Sequence, residues 1–140
     1  MELEKLYNSW LKKMGDYKYE PHTIGELLEY SMSEKPKEMD VIIEGVIIDR
    51  NERYDSKYNS IENRIDFLIE GIAKDVGNAV VAEASNSHPG IRNFSTASVS
   101  RIGDHVVMSG TYNPENMEVR IAIILNKTVL EARNKKPTDI

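Results

Sequence analysis

The sequence of 140 residues contains no cysteine, a single Trp and only two Phe. Without cysteine the chain can form neither disulfides nor thiolate nucleophiles nor cysteine-ligated zinc and iron–sulfur sites. No run of apolar residues approaches the roughly 18 that a membrane-spanning helix needs. The opening residues Met1–Lys5 include three charged side chains and lack the apolar stretch of a secretion signal. We therefore expect a cytoplasmic protein with one modest hydrophobic core.

An excess of basic side chains is also missing. The chain has 18 Lys and Arg against 23 Asp and Glu, which gives a formal net charge of −5. A domain that binds nucleic acid chiefly by neutralising phosphates is usually basic. A nucleic-acid binder of this composition would therefore have to gather its cations on one face.

The motifs of common enzyme sites are missing as well. The three histidines, His22, His88 and His105, do not have the spacing of metal ligands. The sequence contains no nucleophile elbow, no phosphate-binding glycine loop and no dinucleotide-binding glycine pattern. We therefore expect a non-catalytic protein that needs no metal ion and no cofactor.

The first forty residues contain two helical patterns and a charged connector. Apolar side chains recur at three- and four-residue spacing across residues 2–14, which predicts an amphipathic helix. Thr23 and Glu26 match a capping box, which predicts the start of a second, short helix. The predicted division of the chain is a helical segment with its connector at 1–40, a barrel domain at 41–134 and a flexible tail at 135–140.

From residue 41 onward the pattern is typical of strands. In the second strand Ile65, Phe67 and Ile69 share one parity, so they should face the core. Gly45, inside the first strand, is typical of a bend at a barrel corner. Residues 71–78 are consistent with a strand, a turn or a helical corner, and the alanine-rich third strand also suits a helix. The predicted strands are Val41–Ile48, Ile61–Ile69, Ala79–Ala84, His105–Gly110 and Glu118–Asn126.

The connections and the last strand carry further expectations. The polar segment Arg50–Ser60 reads as a loop, and residues 90–100 read as a helix or loop between strands three and four. Residues 129–133 either extend the last strand or form a helical turn. The apolar side chains that share one parity in strand five are Val119, Ile121, Ile123 and Leu125.

Several of these segments together resemble a known family. Residues Thr23–Leu28 lead into Val41–Val46, a Gly103–Asp104 pair precedes strand four, and Gly110 ends it. This arrangement resembles the oligonucleotide/oligosaccharide-binding (OB) domains of archaeal single-stranded-DNA-binding proteins of the replication protein A type. The resemblance covers about residues 23–130. It implies a mainly β fold, a closed five-stranded Greek-key barrel that binds single-stranded DNA or RNA. The helix predicted at 2–14 lies outside the resemblance and forms an N-terminal helical appendage.

Binding of single strands needs aromatic rings for bases and cations for phosphates. We expect Arg and Lys side chains to contact phosphates while Tyr54, Tyr58 and Tyr112 stack on bases. OB domains of this type commonly place two aromatic residues on the binding face, whereas strands two and three here show no outward aromatic. The candidate residues are Arg50, Arg53, Tyr54, Lys57 and Tyr58 in the first loop, Arg64 on strand two, Arg92 and Phe94 in the insertion, and Tyr112 and Arg120 beside the last hairpin.

An alternative function stays open. OB barrels also serve as protein-interaction or assembly modules, and the acidic balance and the scarcity of outward aromatics fit that use. In this interpretation the same barrel face meets another chain, or the helix at 2–14 packs into a partner's groove or self-associates. The helix could equally cap its own barrel.

Overall fold

The computed structural model describes residues 19–57, 60–86 and 94–134, together with Lys5, Asn8, Ser9 and Lys12; of residues 55–57, 60–62 and 134 it describes the backbone alone. A two-residue strand at Glu20–Pro21 and a 3-10 turn at Ala73–Asp75 accompany the main elements. Those elements are α1 (Ile24–Ser31), β1 (Met39–Lys57), β2 (Ser60–Gly71), β3 (Ala79–Ser85), α2 (Phe94–Val99), β4 (His105–Asn113), β5 (Glu118–Asn126) and α3 (Lys127–Asn134).

The five long strands close into a barrel. They are hydrogen-bonded in the order β1-β2-β3-β5-β4, and β4 pairs back onto β1. The β3–β5 pairing is parallel and the other four pairings are antiparallel. With α2 inserted between β3 and β4, this is the Greek-key barrel of the OB fold. The predicted fold class is therefore confirmed.

Gly45 lies where β1 stops pairing with β4 and begins to pair with β2. Its Cα partners are Val106 of β4 on one side and Gly71 of β2 on the other. A Cβ atom at this position would lie 2.3 Å from the backbone oxygen of Glu70, so only glycine lets the two strands approach this closely. The predicted barrel corner at Gly45 is present.

The core fills the barrel and includes α1. Ile65, Phe67 and Ile69 are buried, as the alternation in β2 predicts. Ile24 and Leu27 of α1 join the same buried cluster. The predicted boundary at residue 41 would place α1 outside the barrel domain, whereas these two side chains make it part of the core. An amphipathic helix too short to be stable alone buries its apolar face against the barrel.

The segment predicted as the first loop is strand instead. β1 continues to Lys57 and pairs with β2 as far as Ser60. The register shifts between Ile47 and Asp49, so Ile48 is an extra bulged residue. The result is a long two-stranded hairpin. Both faces of the outer part of a hairpin are open to solvent. Its strands therefore lack the alternation of apolar and polar residues, and their sequence resembles that of a loop.

A second bulge corrects the parity predicted for β5. Ser109 pairs with Ile123 while Gly110 pairs with Ile121, so Ala122 is the extra residue. Beyond it the buried side chains are Ile124 and Asn126. Ile123 and Leu125, which share a parity with Val119 and Ile121 in the sequence, therefore lie outside the main core in a smaller cluster, because one inserted residue exchanges the two faces of a strand.

The structure describes some of the remaining predicted segments and not others. Of residues 71–78, Ala73–Asp75 form a 3-10 turn, and residues 129–133 belong to α3. Most of the predicted helix at 2–14 lies outside the described residues, although Lys5, Asn8, Ser9 and Lys12 are helical and exposed. The predicted tail at 135–140 also lies outside them. In the described part of the chain no helix is long and apolar enough to cross a membrane.

Candidate nucleic-acid interface

The outer face of the barrel across β1, β2, β3 and β5 carries a group of charged side chains. Beyond the bulge at Ile48, Arg53 of β1 stands directly opposite Arg64 of β2. Arg64 precedes the buried Ile65 by one residue, so it points to the outer surface. Arg53 shares that surface because opposite residues of an antiparallel pair lie on the same face.

The same face continues onto the next two strands. Asp66 of β2 stands opposite Glu83 of β3, and Glu83 stands opposite Arg120 of β5. We call Arg53, Arg64, Asp66, Glu83 and Arg120 the charge ladder. The charge ladder contains three arginines and two carboxylates, and Glu70 and Glu118 lie on the same outer face, so the arginines are interspersed with acidic side chains on a chain whose formal net charge is −5.

Two ion pairs run diagonally through the charge ladder. Arg53 Nη2 lies 3.0 Å from Asp66 Oδ2, and Arg64 Nη2 lies 2.9 Å from Glu83 Oε1. Like charges directly opposite each other destabilise a sheet. The diagonal carboxylates offset the repulsion between Arg53 and Arg64, and the arginines offset that between Asp66 and Glu83.

Tyr54 lies on the other face of the hairpin. Its neighbour Arg53 belongs to the charge ladder, and successive side chains of a strand point to opposite sides. Tyr54 is 67% exposed and stands opposite Asn63. The backbone N–H of Asn63 donates to Asn86 Oδ1 at 3.0 Å, which ties the hairpin to the end of β3. The predicted Arg–Tyr cluster is thus divided between two faces.

Arg50 has structural partners. Its Nε donates to the backbone oxygen of Ser100 at 2.9 Å, and its Nη2 donates to that of Ser98 at 2.9 Å. The guanidinium therefore binds one carbonyl in the last turn of α2 and one just beyond it, groups that a helix end leaves without partners. Glu52 Oε1 lies 3.2 Å from the same Nη2. The side chain of Arg50 links α2 to β1, and its hydrogen bonds leave it poorly placed to bind a ligand.

Two predicted aromatic contacts need correction. Tyr112 is fully buried, and its hydroxyl is hydrogen-bonded to Ser31 Oγ of α1, so it cannot stack on a base. It pairs with Met39 at the first position of β1 and faces the core. Phe94 is half-buried and packs against the same core. Tyr58 and Arg92 lie outside the described residues, as does the side chain of Lys57.

A cavity of about 410 Å³ lies on a different part of the barrel, beside the start of α1. Its lining combines apolar side chains of β1 and β4 with the polar residues His22, Glu26, Glu44 and Asp75. The hydrogen bond from His22, followed by one with the Thr23 backbone, holds the pKa of Glu26 below its ordinary value. Among the described residues no cluster of His, Asp and Glu is arranged to hold a metal ion.

The histidine that begins β4 also has a charged partner. His105 Nε2 lies 2.6 Å from Glu44 Oε2, and Lys127 Nζ lies 3.4 Å from the same oxygen. The three side chains join β1, β4 and the start of α3. This is a structural network at the barrel surface, distant in the sheet from the charge ladder.

The sequence identifies the arginines of the charge ladder but not their acidic partners. Asp66 and Glu83 alternate with core residues in their strands, so their outward direction is visible in the sequence. Their contacts depend on the pairing register, which the sequence pattern does not supply. Asp75 was missed for a similar reason, because its partners lie some fifty residues away in α1.

Comparisons with known proteins find similarity at the level of structure. A crystal structure of yeast Stn1 and Ten1 matches 62% of this chain and 42% of that chain, with 17% identity and a TM-score of 0.44. This chain thus spans less than half the length of that one. A small single-stranded DNA-binding protein from Streptomyces coelicolor matches 64% of this chain and 93% of that chain, with 12% identity and a TM-score of 0.45. No protein-family model matches the sequence, and a search of curated proteins finds no match.

Proposed function

We propose that this protein binds single-stranded nucleic acid, without catalysis, on the outer face formed by β1, β2, β3 and β5. OB barrels that bind oligonucleotides use the face of strands two and three and the adjoining loops. The observation that carries the proposal is the convergence of Arg53, Arg64 and Arg120 from three strands onto that face of an otherwise acidic chain.

The chemistry of the face favours the phosphate backbone over the bases. The three guanidinium groups offer planar, permanently charged donors that suit phosphate oxygens. Among the described residues, Tyr54 of the hairpin is the one aromatic residue whose side chain is largely exposed. A single stacked base contributes about 1–3 kcal/mol. We therefore expect binding that depends on salt more than on base sequence.

The relationship to one particular type of single-stranded-DNA-binding protein is also a proposal. The segment at 23–130 resembles the archaeal replication protein A type, and a strand-bordering Gly103–Asp104 and Gly110 support that relationship. The proposed ligand is single-stranded DNA or RNA. A cytoplasmic location is the expectation that the composition supports.

Fluorescence anisotropy with labelled single-stranded DNA and RNA tests the function. Affinity should fall as salt rises, with a slope of log K against log salt of about −0.7 for each phosphate neutralised. Replacing all three ladder arginines by alanine should abolish most of the binding. The matched control removes three exposed cations elsewhere, with the substitutions Lys74→Ala, Arg101→Ala and Arg133→Ala. Equal losses in the two variants would exclude the charge ladder as the site.

A second candidate function rests on an exposed apolar patch. Ile48, Val99 and Ile102 are 41%, 50% and 62% exposed. Ile48 and Ile102 are neighbours, since the N–H of Gly103 donates to the carbonyl of Ile47 at 2.8 Å. Exposed apolar groups of this kind favour a protein-interaction role. The predicted helix at 2–14 is the other proposed contact, for a partner or for self-association.

Sedimentation velocity distinguishes the two functions. A protein-interaction or assembly subunit should show no salt-dependent oligonucleotide binding, and Ile48→Ser with Ile102→Ser should reduce self-association or partner capture. A monomer that binds oligonucleotides and is unaffected by these two substitutions would contradict the second candidate.

A further inference from the structure

We propose that Asp66 and Glu83 occupy the phosphate sites of the charge ladder, so that a nucleic-acid strand binds by displacing these carboxylates from Arg53 and Arg64. This inference rests on the proposed function. It adds an internal competitor that sets how strongly the face binds the strand.

The first step of the argument is the geometry of the two ion pairs. Arg53 donates to Asp66 at 3.0 Å, and Arg64 donates to Glu83 at 2.9 Å. A guanidinium binds carboxylate and phosphate oxygens through the same N–H groups. A phosphate and the internal carboxylate therefore compete for the same donors.

The second step is the arrangement imposed by the sheet. Arg53 faces Arg64, and Asp66 faces Glu83, so each charge has a like charge directly opposite and an opposite charge on the diagonal. If phosphates replaced the carboxylates, the two arginines would keep their compensation. The displaced Glu83 would still stand opposite Arg120, which offers it an alternative partner.

The third step is the solvent exposure of the pairs. The side chains of Arg53 and Arg64 are 44% and 33% exposed, and those of Asp66 and Glu83 are 25% and 19% exposed. Ion pairs this close to water are weak, because solvent screens them. An incoming strand can therefore exchange one anion for another without unfolding the sheet.

The same face supplies matched controls. Glu70 lies on β2, on the same parity as Asp66, and its Oε2 accepts from the N–H of Gly77 at 3.2 Å. Glu118 lies on β5, two residues before Arg120 and opposite Val81 of β3. Neutralising Glu70 and Glu118 removes two negative charges from this face without touching the partners of Arg53 and Arg64.

The experiment compares Asp66→Asn/Glu83→Gln with Glu70→Gln/Glu118→Gln by anisotropy across a salt series. The first variant should bind single-stranded DNA roughly tenfold more tightly than the wild type, since each released surface pair is worth up to about fivefold. Its salt slope should stay near the wild-type value, because Arg53 and Arg64 neutralise the same phosphates in both complexes and only the cost of displacing the carboxylates is removed. The control variant should gain less affinity and keep the wild-type slope.

Each result has one meaning. Weaker binding by Asp66→Asn/Glu83→Gln would show that the carboxylates position the arginines, which overturns the proposal. A gain no larger than that of the control would also overturn it, because the loss of negative charge alone would explain the gain. Single substitutions at Asp66 and Glu83 provide the same comparison if the double variant does not fold.

Failure of the proposed function gives a different pattern. In that case neither the wild type nor the Asp66→Asn/Glu83→Gln variant binds, or binding is unaffected when the three ladder arginines become alanine. If the wild type binds through these arginines and only the predicted gain is missing, the function stands and the competition is excluded.

Discussion

The carboxylate of Asp75 holds the first turn of α1 from 51 residues away, with Oδ2 accepting from the backbone N–H of Ile24 at 2.7 Å. Its Oδ1 accepts from the N–H of Gly25 at 2.9 Å and from the side chain of Asn78 at 3.0 Å. Thr23 Oγ1 accepts from the N–H of Glu26 at 3.1 Å, as the capping box predicts. The N–H groups that a helix leaves without partners are thus satisfied by two different caps.

Asp75→Ala should lower the free energy of unfolding by about 1–3 kcal/mol, because the buried N–H of Ile24 and the partly buried N–H of Gly25 lose their acceptor. Urea denaturation followed by circular dichroism measures the change. Glu29→Ala, an exposed substitution on the same helix, is the control and should stay within about 0.5 kcal/mol of the wild type. If Asp75→Ala matched this control, the carboxylate would not be a structural cap.

Tyr112→Phe should separate the core role of this ring from the predicted base stacking. The ring stays in the core, while the hydrogen bond between its hydroxyl and Ser31 is lost. We expect a loss of about 1 kcal/mol in the free energy of unfolding and an unchanged affinity for single-stranded DNA. Thermal denaturation and anisotropy check the two expectations. A selective loss of affinity, with stability unchanged, would return Tyr112 to the binding site.

Arg50→Lys should weaken the attachment of α2 while keeping the positive charge. Lysine lacks the planar fork that reaches both Ser98 and Ser100, so at least one carbonyl loses its donor. Hydrogen exchange should speed up for the amides of α2 (Phe94–Val99), while nucleic-acid affinity falls less than in Arg53→Ala. A larger loss of affinity than in Arg53→Ala, with unchanged exchange, would instead make Arg50 a direct ligand contact.

Local alternation predicted much of this fold because one face of each barrel strand is buried. Ile65, Phe67 and Ile69 are a clear case, since every second residue of β2 enters the core. The two bulges, at Ile48 and Ala122, could not be predicted in the same way. A bulge is defined by what lies on the neighbouring strand, and nothing within the strand's own sequence marks the extra residue.

The candidate site was predicted in part for a related reason. Arg53 and Arg64 were recognised as candidate contacts, and both lie on the outer face. The sequence pattern groups Tyr54 with Arg53 because it predicts a loop here, in which side-chain direction is unconstrained. As a strand, the segment sends the two side chains to opposite faces. The prediction for Tyr112 is wrong because this residue borders a turn in the sequence, whereas its pairing with Met39 directs the side chain into the core.

The pair formed by His22 and Glu26 leads to a prediction about acid. His22 Nδ1 lies 3.2 Å from Glu26 Oε2, and this hydrogen bond is the largest cause of the lowered pKa of Glu26. A carboxyl group with a lowered pKa in the folded state stabilises the fold above its unfolded-state pKa. That contribution is lost as the pH falls through the folded-state pKa.

His22→Ala should therefore raise the pKa of Glu26 toward its ordinary value, and the stability of this variant should depend less on pH in the acid range. Carbon-detected NMR titration of the Glu26 carboxyl group measures the shift directly. His105→Ala serves as the control, because His105 contacts Glu44 and should leave the pKa of Glu26 unchanged. An unaltered pKa in His22→Ala would assign the lowering to the Thr23 backbone and to the start of α1, where the positive end of the helix dipole also favours a carboxylate.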